Sequence, residues 1–154
     1  VGAAQLPTAS SKFTGSGKWS AGVGGLAFVN TVSLFTPKDS LLAGAYGYNL
    51  WSFAETRDSA TKVDKFFWAP VVVYHFEEFF GQTGWYTAAP DDLWQYDWEV
   101  DKWTQIPLGL RLGKVFNIGQ QPVNMFGQAW WNAVSPAGSP DWTVKLNLTF
   151  IFPE

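Results

Sequence analysis

The 154-residue chain has no cysteine, one histidine and one methionine. Without cysteine there is neither a disulfide scaffold nor a thiolate metal site. The lone His75 stands beside Glu77 and Glu78. A catalytic or metal role would need convergent partners, and no H-x-x-x-H or G-x-S-x-G pattern supplies them. His75 therefore reads as structural or interfacial. Neither catalytic residues, nor a metal, nor a cofactor are expected, and the chain does not read as an enzyme. Charge is scarce, at 15% Asp, Glu, Lys and Arg against about 25% in soluble domains. A net charge of −3 offers no basic surface for nucleic acid. Long apolar runs are also missing. The best, Phe66 to Phe76, falls short of the roughly 20 residues that a membrane-spanning helix requires. No signal-peptide pattern is visible and the chain starts at Val1, so its N-terminus reads as processed, truncated or incompletely identified.

What the chain has instead is apolar and aromatic residues: 47% hydrophobic, 18% aromatic, ten tryptophans. With no long run to hold it, that much apolar surface must be spread by alternation, as in strands that face lipid. Breakers at Thr8–Gly17, Thr31–Ser40, Glu55–Ala60, Glu77–Gly84, Glu99–Lys102, Asn117–Gln121 and Ser135–Asp141 separate segments of period two rather than 3.6. Asp141–Phe152 is the clearest. Trp142, Val144, Leu146, Leu148, Phe150 and Phe152 lie on one face, and Thr143, Lys145, Asn147, Thr149 and Ile151 on the other. In Val63–Phe76 the row Phe66, Trp68, Val72, Tyr74 and Phe76 opposes Lys65 and His75, together with Phe67, Ala69, Val71 and Val73. In Asp92–Trp98 the residues Trp94, Tyr96 and Trp98 oppose Gln95 and Asp97, and in Trp103–Leu112 an apolar row opposes Gln105 and Arg111. In Gln121–Asn132 Asn124, Gln128 and Asn132 share a face with Phe126 and Trp130. Gly17–Asn30 and Ser40–Phe53 alternate less cleanly. These segments amount to seven strands, with Val1–Leu6 as the end of an eighth. Each is read as long enough for the about nine to eleven residues that cross a bilayer at a tilt, and such strands must close, because lipid satisfies no backbone group.

The fold expected from this pattern is all-β, a single domain over 1–154: an antiparallel transmembrane β-barrel of seven to eight strands, or the C-terminal part of a larger one. A charge at mid-depth in lipid costs about 2–4 kcal/mol. The polar residues opposite apolar rows are therefore expected to line the lumen: Lys65, Asp97, Gln105, Arg111, Asn124, Gln128, Asn132, Lys145 and Asn147. Phe66, Trp68, Trp94, Tyr96, Trp98, Trp142, Leu146, Phe150 and Phe152 are expected to face lipid. Asp97 and Arg111 fall on neighbouring strands and are a candidate ion pair. Asp91, Asp92, Glu99 and Asp101 lack the spacing of an EF-hand loop and read as a solvated loop. "GSGK" at Gly15–Lys18 lacks P-loop spacing and reads as a turn, and Asn147-Leu-Thr sits inside a strand, which argues against glycosylation.

The blocks "LRLGKVFNIG" at Leu110–Gly119, "QQPVNMFGQAWWN" at Gln120–Asn132 and "PDWTVKLNLTFIF" at Pro140–Phe152, with "GSGKWSAG", "NLWSFA" and "GWY" upstream, resemble a family of Gram-negative outer-membrane proteins. Its members are labelled transporters or components of the meta-pathway of phenol degradation. The resemblance runs from about Leu6 to the C-terminus, and the last strand resembles the assembly signal of outer-membrane barrels. It implies residence in the bacterial outer membrane with a periplasmic C-terminus, contact with membrane lipid, and passive passage of small molecules. Members usually extend further at the N-terminus and carry polar residues where this chain has Ala69, Val73 and Phe126. Strand parity would then put Glu55–Ala60, Val100–Lys102 and Ser135–Pro140 outside the cell, and Glu77–Thr83 and Phe116–Gly119 in the periplasm. Two rivals stand beside the channel. One is a non-conducting structural barrel that associates with other envelope proteins or with further copies of itself. The other is a soluble carbohydrate-binding sandwich, suggested by the tryptophans.

Overall fold

The computed structural model describes residues 1–8, 16–32, 34–55 and 62–152. The chain is all-β, and the described residues contain no helix. Nine strands follow in order: β1 Gly2–Gln5, β2 Lys18–Val32, β3 Ser40–Glu55, β4 Asp64–His75, β5 Trp85–Ala88, β6 Trp94–Asp97, β7 Lys102–Ile118, β8 Gln121–Val134 and β9 Trp142–Phe150. All pair antiparallel in one sheet of order β1-β2-β3-β4-β5-β7-β8-β9, with β6 also between β4 and β7.

β5 and β6 are two halves of one stave. β5 pairs Val73–His75 of β4 and Arg111–Lys114 of β7, whereas β6 pairs Lys65–Trp68 and Lys102–Gln105 of the same two neighbours. The sheet thus has eight staves, built from nine strands because residues 89–93 leave the ladder between the halves. β5 was not foreseen as a strand. Val1–Leu6 does supply the eighth stave, as β1, but β1, β5 and β6 have only four residues each, so not every strand has crossing length by itself. β7 runs on to Ile118, and its tight turn is Gly119–Gln120 rather than Phe116–Gly119. Gly119 has φ 63°, a left-handed backbone that a residue with a Cβ adopts at a cost.

Strand alternation puts the C-terminal end of β9, the Gly119–Gln120 turn and the 76–84 and 34–39 connections at one end, called proximal here. The connections 98–101 and 135–141 lie at the distal end. The expected Glu55–Ala60 loop is mostly outside the described residues.

The sheet's burial is inverted relative to a soluble sandwich. Along β9 Trp142, Val144, Leu146 and Leu148 are exposed, Leu146 at 84%, while Thr143, Lys145 and Asn147 are half-buried. In β8 Phe126, Gln128 and Trp130 are buried, while Met125 and Trp131 point outward and are exposed. Alternation of period two makes the two faces chemically distinct, and here the polar, charged face is the covered one. Tyr86 packs over Gly113 on this inner face, where a Cβ on Gly113 would run into the ring. The ring covers the glycine backbone, and its hydroxyl donates to Asn124 Oδ1 across β7 at 3.0 Å. Tyr86, Ala88 and Phe126 form the small buried cluster, with Val73 against it.

Among the described residues no ladder joins β9 to β1 or β2. β1 covers only Ser20–Val23 of β2 by ladder, and Val1 adds bonds at Gly24. Among the described residues the remainder of the β2 edge and the outer edge of β9 carry no strand partner.

At the proximal end Asp39 pins two connections together. It accepts from the Tyr74 hydroxyl and, at 2.6 Å, from the Glu77 backbone N–H. The hydroxyl bond is the main cause holding its carboxyl below the ordinary range, with local desolvation opposing it. A carboxyl lowered on folding contributes stability above its unfolded pKa of about 4 and loses it only as pH falls through the lower folded value. The pin is therefore expected to hold from neutral pH to below about pH 4. Amide exchange at Glu77 would check this. Asp39→Ala should speed exchange at pH 7, and equal protection in both proteins would discount the pin.

Candidate functional site

The inner face carries an ion-paired cluster centred on Asp91. Pro90 lacks an N–H, so the chain cannot continue the ladder there. Ala89 N–H still bonds Val72 O at 2.9 Å, and the next residues leave the stave. This excursion delivers Asp91 to three strands at once. Its Oδ2 lies 2.8 Å from Arg111 Nη2 on β7 and 2.9 Å from Lys145 Nζ on β9. Its Oδ1 accepts from Gln128 Nε2 on β8 at 2.7 Å. Gln128 is 2% exposed, and its Oε1 accepts from Arg111 Nε at 2.8 Å. Its amide orientation is set by these partners, since the carboxylate needs a donor and the guanidinium an acceptor. In a flat sheet β9 would lie three spacings from the β5–β6 stave, roughly 14 Å. The Asp91–Lys145 contact shows how far the excursion reaches across the inner face. Phe126 lies beneath both cations, with Arg111 Cζ 4.2 Å and Lys145 Nζ 5.9 Å from its ring centre.

A second pair lies distally. Lys65 and Asp97 face each other on β4 and β6, Nζ to Oδ2 3.3 Å, and both are largely covered. The expected pairing of Asp97 with Arg111 is corrected. The two are on paired strands, but Asp97 is opposite Lys102 and Arg111 is opposite Ala88, too far along the ladder to meet. Asp91 is likewise corrected from a solvated-loop residue to the hub of the cluster.

All nine polar residues singled out for the inner face are half-buried or buried, and each has a polar partner. Gln105 Oε1 accepts from Gln95 Nε2 at 2.9 Å, Asn124 accepts from Tyr86, and Asn132 Nδ2 donates to Pro140 O at 2.7 Å. Asn147 Oδ1 accepts from Thr149 Oγ1 at 2.6 Å. Two inner-face cavities flank the excursion. One of about 130 Å3 is lined by Tyr46, Ala69, Ala88, Asp91 and Arg111. The other, about 210 Å3, is lined by Asp92, Gln105, Trp130, Asn132 and Thr143. Such a surface can bind or pass a small polar solute, or simply cross-link the staves. The described residues contain no cluster of three metal-ligating side chains.

On the outer face the aromatics gather toward the two ends. Distally, Trp68 meets Trp94 (5.1 Å between ring centres), Trp94 meets Trp103 (6.0 Å), and Tyr96 meets Trp98 and Trp103 at 4.7 and 5.3 Å. Trp98 Nε1 donates to Asn49 at 2.7 Å and Tyr96 OH to Asp101 at 2.5 Å. Proximally, Tyr74, Phe76, Phe79, Phe80 and Trp85 form a second set. Of the residues expected to face outward, Trp98, Trp142, Leu146, Phe150 and Phe152 are exposed; Trp68, Trp94 and Tyr96 are half-buried against aromatic neighbours, and Phe66 is half-buried with its ring beside Gly47.

Sequence reasoning missed the roles of Asp91 and Tyr86; it put Gln95 opposite the Trp94 row without naming it a site residue. One signal was available. Tyr86 and Ala88 share the inner face with Gln95 and Asp97, yet even and odd positions of one unbroken strand cannot do so. Only an interruption, marked by "APDD", reconciles them. No protein-family model matches the chain, and no curated protein or solved structure matches it.

Proposed function

We propose that the chain forms the wall of a β-barrel in a Gram-negative outer membrane and provides a passive route for small molecules. One observation carries the reading: large apolar side chains cover the exposed face while paired charges occupy the covered one. In water this arrangement would leave Val144, Leu146 and Leu148 on β9, at 72%, 84% and 54% exposure, without cover. In lipid it is the expected one, with tryptophan and tyrosine near both ends. The resemblance of the C-terminal blocks to outer-membrane transporters adds to it, and the C-terminus would then be periplasmic. The open edges of β9 and β2 would have to pair in lipid. Closure of β9 on β1, which runs in the opposite direction, gives eight staves, whose interior side chains fill; further strands would leave a water-filled lumen.

The second reading, a non-conducting structural barrel, is favoured by the Asp91 cross-link and the Tyr86–Phe126 cluster on the inner face. Reconstitution separates the two. Refolded protein in planar bilayers should give discrete conductance steps, and vesicles should release small solutes. Inserted, heat-modifiable protein without conductance would overturn the channel and leave the structural barrel.

A further inference from the structure

The outer face holds a trough along β8. Its floor is made by small residues, Gly127 and Ala129. Cross-strand register places Leu112 and Leu146 on either side of Gly127, and Leu110 and Val144 on either side of Ala129. The proximal mouth lies in the next row, where Trp85, Lys114, Met125 and Leu148 stand in line. The distal end stops at the paired Trp131 and Trp142. The cavity at the mouth measures about 490 Å3. From Met125 to Trp131 the strand rises roughly 20 Å.

The charge at the mouth has no carboxylate partner among the described residues. Lys18, Lys38, Lys62, Lys65, Arg111 and Lys145 each have a carboxylate partner. Among the described residues Lys102, at the distal end, and Lys114 have none; Lys114 bonds the amide oxygen of Gln82 and stands 5.2 Å from the Trp85 ring centre. An apolar trough ending on an unneutralised cation is complementary to an amphiphile with an anionic head.

We propose that this trough binds one acyl chain of an anionic phospholipid of the proximal leaflet, with the headgroup phosphate at Lys114. The site rests on the membrane reading above but not on conduction. Native mass spectrometry of the refolded chain released from nanodiscs would test it, using phosphatidylglycerol and phosphatidylcholine of identical chains. Wild type should retain phosphatidylglycerol about five-fold over phosphatidylcholine, the factor that one lysine near an anionic surface provides. Lys114→Gln should abolish that preference. Gly127→Leu should lower retention of both lipids; a Cβ there would meet only Leu146 Cδ2, at 3.4 Å, so the backbone accommodates the change. Equal retention of the two lipids by inserted wild type, or an unchanged preference in Lys114→Gln, would overturn the site and leave the membrane reading standing. Failure of the wild type to enter nanodiscs at all would overturn the membrane reading itself.

Discussion

Leu146→Arg should destabilise the folded, membrane-inserted chain by about 2–4 kcal/mol, the cost of a cation at the bilayer midplane. Leu146 is the central residue of β9 and is 84% exposed. The same substitution on a water-facing sheet would change stability by no more than about 0.5 kcal/mol, because an exposed surface position with no buried partners tolerates charge. The two environments thus predict results that differ several-fold in magnitude. Folding into lipid vesicles across a urea series reads the difference directly. A variant that folds as well as wild type would place this face in water and revive the soluble sandwich.

Asp91→Ala should be the most damaging change on the inner face. It leaves Arg111 and Lys145 facing Phe126 with no carboxylate between them. Breaking a buried pair from one side costs about 3–5 kcal/mol. The Asp91 side chain is 44% exposed, so water screens part of that cost and about 1–3 kcal/mol is expected. Arg111→Leu should cost less, because Asp91 keeps Lys145 and Gln128. It should also leave the Lys65–Asp97 pair intact, since that pair belongs to different strands. The temperature at which the folded band converts in a gel-shift assay would rank the variants. Asp91→Ala melting with wild type, or Arg111→Leu melting below Asp91→Ala, would remove Asp91 from the centre of the cluster. A double-mutant cycle between Asp91 and Lys145 would isolate their coupling.

Much of this architecture was legible in the amino-acid order. The row from Trp142 to Phe152 and its polar counterpart Thr143 to Thr149 determine a strand with two unlike faces, because successive side chains on a strand point to opposite sides whatever the strand pairs with. The same local rule put Lys65, Asp97, Arg111 and Lys145 opposite apolar rows. It also found the all-β class and the antiparallel order of hairpins, since short connections allow little else.

What only the tertiary structure decided is which of these groups meet. Register depends on turn length and on irregularities: the ladder shifts between Gln95 and Tyr96 and again between Ile106 and Pro107. Each shift moves partners by one residue, enough to change which side chains are opposite. Asp97 and Arg111 sit on neighbouring strands but too far apart along the ladder to pair, and Asp97 meets Lys65 instead. Asp91 could not be placed by period at all, because it belongs to the excursion between β5 and β6, and its three partners stand in one row set by pairing, Arg111 opposite Gln128 and Gln128 opposite Lys145. The trough on β8 has the same origin. Gly127 and Ala129 are merely small in sequence; they become a floor because Leu112, Leu110, Leu146 and Val144 are set beside them by pairing across β7 and β9. Alternation is a property of one strand, whereas ion pairs and grooves are properties of several strands in register.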